Sequence, residues 1–147
     1  MSDYTHILVA IDFSAAADQV LKKARDIAHR NKAKLSLLHV VEYLAPIDYV
    51  NDALLDSNWV VEESAMLEIA KQSLLKFSKK HQLKHAELAV NLGTPKHEIA
   101  QFVKEHQCDL VVLGSHGRHG LSLLLGSTAN AILHDMPCDI LTVKIEK

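Results

Sequence analysis

The residues best suited to chemistry lie in one stretch, Gly114-Ser115-His116-Gly117-Arg118-His119-Gly120-Leu121-Ser122-Leu123-Leu124-Leu125-Gly126-Ser127-Thr128, which holds four of the chain's five glycines. Glycine lets a backbone take positive φ and approach a ligand closely. A run of unpaired N–H groups leading into a helix N-terminus favours anions, through the amides and through the helix dipole. Ser127 and Thr128 add hydroxyl donors at the helix start, and Arg118 adds a cation. The competing reading is a tight turn whose glycines serve chain reversal alone. One glycine suffices for that, so a phosphate site is the preferred reading.

Other chemistries fit poorly. A Walker loop needs Gly-Lys-Ser/Thr, and no Lys precedes Ser127. The dinucleotide fingerprint needs GxGxxG after the first strand, where this chain has Ala10-Ile11-Asp12-Phe13-Ser14. There is no GxSxG elbow. Asp12 suggests a phospho-accepting aspartate, but the second nearby acid that would help hold Mg²⁺ is missing. Ten histidines invite a metal, yet neither His116/His119 nor His81/His85 sits in an HExxH or cysteine-supported pattern. His116 is read as surface or phosphate-facing, and His39, inside an apolar run, as a satisfied core histidine. Cys108 and Cys138 form no CxxC pair and read as small, reduced, buried residues.

These residues need elements to position them, and the pattern alternates strand and helix throughout. His6–Ile11 is a β-rich apolar run suited to burial on both faces. Ser14 reads as the N-cap of a helix over about Ala15–His29, whose apolar stripe includes Val20, Leu21, Ala24 and Ile27. A strand over about Lys34–Val41, a long connection over Tyr43–Asn58 and a helix over about Val60–Lys80 follow. The connection is read as a lid or an interaction surface. Next come a strand at Glu87–Asn91, then Gly93-Thr94-Pro95 as turn, N-cap and N1, leading a helix that ends near Gln107. Asp109–Leu113, a helix over about Ser127–Asp135 and a strand over Asp139–Ile145 complete the chain. The expected fold is α/β, one domain over residues 1–147, a doubly wound parallel sheet in order 3-2-1-4-5 with helices on both faces. Ligands of such sheets bind at the switch point, between strands 1 and 4 at their carboxyl ends.

Composition bounds the partners. The 147 residues are 48% apolar, with 16 basic against 18 acidic side chains, and the pI is near 6.5. The basic residues are scattered, which disfavours nucleic acid. No apolar run approaches the roughly 20 residues of a membrane span, and the first residues lack a signal peptide's pattern, so the expected location is cytoplasmic.

The chain resembles the universal stress proteins over its whole length. The resemblance rests on His-Ile-Leu-Val-Ala-Ile-Asp-Phe-Ser from His6, Leu37-Leu38-His39-Val40, Asp109 to Gly117, and Pro137-Cys138-Asp139-Ile140-Leu141-Thr142-Val143. It implies a fold similar to the adenine nucleotide alpha hydrolases, a homodimer, and, in one branch, ATP at the glycine loop. In that branch Asp12 with Ala10, and Val40, would contact adenine and ribose, while Gly114, Gly117, Gly126, Ser127 and Thr128 would hold the phosphates. One departure stands out. That branch has nine residues between the second glycine and the final Gly-Ser/Thr, and here only eight separate Gly117 from Gly126.

Three functions are weighed. The first is a regulatory, non-catalytic stress-response protein that binds ATP or a related adenine nucleotide, with or without Mg²⁺. The second is a dimeric interaction module that binds no nucleotide and recruits a protein partner. The third is a weak phosphoryl-transfer enzyme using Asp12. The homodimer is expected through the last strand, an edge whose Ile140–Ile145 run is apolar and lacks proline.

Overall fold

A computed structural model describes residues 4–42, 57–114 and 136–145, with backbone alone for 57–62. The elements in chain order are β1 (His6–Ala10), α1 (Ala17–Asn31), β2 (Lys34–Glu42), α2 (Ser57–Lys80), β3 (Glu87–Gly93), α3 (Pro95–His106), β4 (Leu110–Gly114) and β5 (Asp139–Val143). All strand pairs are parallel, in the order β3-β2-β1-β4-β5. The sheet order expected from the alternating pattern is the observed one. The expected helix at Ser127–Asp135 and most of the Tyr43–Asn58 connection lie outside the described residues.

Alternation along β1 divides the core. Ile7, Val9 and Ile11 face Val20, Leu21 and Ala24 of α1 and Leu74 of α2. Leu8 and Ala10 face Ile99, Phe102 and Val103 of α3. Every β1 side chain is therefore buried, as its unbroken apolar run predicts. Helices cover both faces, α1 and α2 on one and α3 on the other.

Three helices end on a left-handed residue that is not glycine. Lys32, Gln82 and Gln107 have φ of 54°, 56° and 55°. Each is followed by an N–H that reaches back five residues: Ala33 to the Ala28 carbonyl, Leu83 to Ser78 and Cys108 to Val103. These bonds satisfy the last orphan carbonyls and hold the αL turn against its steric cost.

The helix starts differ from expectation. Pro95 opens α3 after Thr94, as predicted, but Thr94 makes no side-chain cap bond. Ser14 is not the N-cap of α1; Ala16 is. Ser14 belongs to the turn before the helix: its amide (3.0 Å) and hydroxyl (2.7 Å) donate to Asp12 Oδ1, and its Oγ accepts the Ala16 amide at 3.3 Å. The Ser14 carbonyl instead accepts the Ala17 amide at 3.0 Å.

A polar network closes the amino end of the sheet. The Asp109 carboxylate accepts from Thr5 N–H (2.7 Å), Thr5 Oγ1 (2.9 Å) and His6 N–H (3.0 Å). Burial pushes this carboxyl upward, but the Thr5 and His6 hydrogen bonds outweigh it and leave the pKa below the usual carboxylate value. His6 is 7% exposed. Its Nδ1–H donates to the His106 carbonyl at 3.0 Å, so in the neutral ring Nε2 accepts the buried Ser36 hydroxyl at 2.7 Å. Tyr4 donates its hydroxyl to Asp139 at 2.9 Å, tying the start of the chain to β5.

Candidate functional site

Parallel strands bring their carboxyl ends to one edge, and β1 and β4 are the central neighbours there. β1 is followed by β2 on one side and β4 by β5 on the other, so the strand order reverses between them, which is the geometry of a ligand crevice. Ala10 is the last residue of β1, and Val40 lies in β2. Both are almost fully buried in one apolar cluster with Leu38 and Leu113. Gly114 ends β4, in register with Val143. Asp12 follows two residues after β1 and is half-buried. The fold thus brings Ala10, Asp12, Val40 and Gly114 to the same end of the sheet. His116, Gly117, Arg118, Gly126, Ser127 and Thr128 lie outside the described residues.

The turn that carries Asp12 is held at both ends. Before it, the Ile11 amide donates to the Leu38 carbonyl at 2.9 Å and prolongs the β1–β2 ladder. His39 Nδ1–H donates to the Ile11 carbonyl at 2.6 Å. After it, Ser14 gives its amide and hydroxyl to Asp12. Between them Phe13 takes φ of 60°, a strained conformation for a bulky residue. Its ring meets the His39 ring at a centroid distance of 4.4 Å. His39 is half-buried rather than a core residue, and its partner is the backbone at the end of β1.

The cysteines are free. Burial pushes the Cys108 thiol up to about 12 and the Cys138 thiol up to about 11, so both are protonated at neutral pH. Cys108 is buried as expected, whereas Cys138 is only partly so, because it precedes an edge strand. Among the described residues no cluster of three or more His, Cys, Asp or Glu is arranged to hold a metal.

A five-stranded parallel sheet in this order, with helices on both faces, defines a doubly wound α/β protein. The sequence profile described as "Universal stress protein family" matches residues 3–144. The chain is 39% identical to Universal stress protein A homolog 2 of Coxiella burnetii, with 99% of each chain covered. Universal stress protein UspA from Lactobacillus plantarum is 32% identical, with a TM-score of 0.60 over 97% of this chain and 99% of that one. A universal stress protein solved in complex with cAMP shares the fold at 24% identity, with a TM-score of 0.59 over 97% and 98% of the two chains. This chain belongs to the universal stress protein family.

Proposed function

We propose that this protein binds ATP or a related adenine nucleotide in the crevice between β1 and β4. It acts as a cytoplasmic, homodimeric regulator rather than as an enzyme. Adenine and ribose contact Ala10, Asp12 and Val40, and the phosphates lie over Gly114–Gly117 and against Gly126, Ser127 and Thr128, with His116 and Arg118 beside them.

The observation that carries the reading is how the chain distributes its glycines. It turns the ends of α1, α2 and α3 on Lys32, Gln82 and Gln107, and the β1 turn on Phe13, all at positive φ. Four turns thus do without glycine, and among the described residues the β3–α3 turn at Gly93, with φ of 153°, is the exception. Gathering four of five glycines between Gly114 and Gly126 supports a need for close backbone approach instead. The cAMP-bound relative of like fold adds support for an adenine nucleotide.

Calorimetry with ATP and ADP at millimolar concentration tests this. Wild-type protein is expected to bind, and Gly117→Val to abolish binding, because a β-branched side chain resists positive φ and fills phosphate space. Wild type that binds neither nucleotide sinks the reading and leaves the interaction module in its place. The dimer is proposed through β5, the sheet edge on the β4 side. Val143→Pro removes a ladder donor, and light scattering is expected to show a weakened dimer. A fully dimeric variant at low micromolar concentration excludes this interface.

A further inference from the structure

We infer that His39 is a positioning residue for the nucleotide site, setting the turn that carries Asp12 through its hydrogen bond to the Ile11 carbonyl; the inference rests on the nucleotide-binding reading above. Ile11 lies one position beyond the last ladder pair, Ala10 with Leu38, and its amide is already committed to the Leu38 carbonyl. The carbonyl of the same residue is where the chain leaves the sheet, and His39 Nδ1 takes it at 2.6 Å.

Two residues later Phe13 stands at φ 60°. A bulky residue keeps that conformation only where its surroundings impose it. Here the His39 ring lies against the Phe13 ring, 4.4 Å between centroids and 41° between planes. One side chain therefore fixes the entry to the turn by a hydrogen bond and its middle by a ring contact. Asp12 lies between these two points, and Ser14 holds its carboxylate from the far side. A backbone that entered the turn at another angle would carry Asp12 away from Ala10 and Val40, even with every proposed nucleotide contact chemically intact. A reacting or binding group displaced by an ångström loses much of its effect.

Asn and Gln variants separate this role from bulk packing. Asn places its amide nitrogen where Nδ1 stands and keeps the donor, whereas Gln places it near the Nε2 position and loses it. Phe keeps a ring against Phe13 but has no donor at all. ATP affinity is measured by calorimetry, and folding by thermal unfolding of the same preparations. His39→Phe and His39→Gln are expected to bind ATP about fivefold more weakly than wild type, within the loss expected on removing the Asp12 carboxylate, while remaining folded at the assay temperature. His39→Asn is expected to stay within about threefold of wild type.

Wild type that binds ATP alongside equally tight His39→Phe and His39→Gln variants overturns the positioning role and leaves the nucleotide site standing. Should His39→Phe fail to fold, the Asn and Gln pair decides alone, and equal affinities for those two overturn the role. Wild type that binds no nucleotide overturns the site and this inference together.

Discussion

The two ends of the sheet are built on different principles. At the amino end, polar groups are bonded to one another: Asp109 to Thr5 and to the His6 amide, and the buried His6 ring to Ser36 and the His106 carbonyl. Left-handed residues there, Lys32, Gln82 and Gln107, all close helices that lead into the strands. At the carboxyl end the described polar groups are few, and a phenylalanine sits in strained backbone beside Asp12. The amino end spends its polar groups on holding the chain together, and the carboxyl end leaves its backbone shaped for something else. A bound anion at the carboxyl end would complete what the amino end completes internally.

Substitutions at the two ends are expected to separate stability from binding. The largest effect belongs to His6→Ala, which removes a buried ring together with its hydrogen bonds to the Ser36 hydroxyl and the His106 carbonyl. The expected loss is about 3 kcal/mol, seen as a fall in Tm of roughly 6–12 °C for a chain of this size. ATP affinity measured well below that Tm is expected to be unchanged. Parallel losses of both would break the division between the ends.

Asp109→Ala removes an acceptor for three hydrogen bonds and is expected to cost about 2 kcal/mol at pH 7 in urea unfolding. Its pKa is lowered in the folded chain, so its contribution is present above the ordinary carboxylate pKa of about 4 and is lost as pH falls through the folded value. Wild type is thus expected to lose stability on acidification over that window, with a shallower slope in Asp109→Asn. Identical slopes would show that Asp109 is not the group responsible.

The smallest effect is Asp12→Ala. One orienting contact on sugar or base contributes about 0.5–1.5 kcal/mol, a loss of roughly 2- to 12-fold in ATP affinity by calorimetry. Its stability is expected to stay close to wild type. A Tm fall as large as that of His6→Ala would place Asp12 among the structural groups instead.

Much of this architecture is legible in the residue order. His6–Ile11 is apolar at every position, and Val20, Leu21 and Ala24 recur at helical spacing, so strand, helix and their burial follow from periodicity. The sheet order then follows from right-handed crossovers. Contacts between groups distant in sequence are not legible in this way. Ser14 looks like the N-cap of α1 until its bonds to Asp12 place it in the preceding turn, with Ala16 at the N-cap. His39 looks like core until the end of β1, 28 residues earlier, is brought to its Nδ1. Of the proposed nucleotide residues, Ala10, Asp12, Val40 and Gly114 are those whose place at the strand ends the fold supports.

The burial of β1 on both faces has a consequence for how the molecule is made. β1 pairs with β2 on one side, but on the other side its partner is β4, where Ile7 meets Leu110. About a hundred residues separate that pair, so at 5–20 residues per second a ribosome needs roughly 5–20 s between delivering the two. During that interval β1 has an open edge and no α3 to cover its second face. A strand buried at every position in the finished protein must therefore wait in water for most of the chain's synthesis.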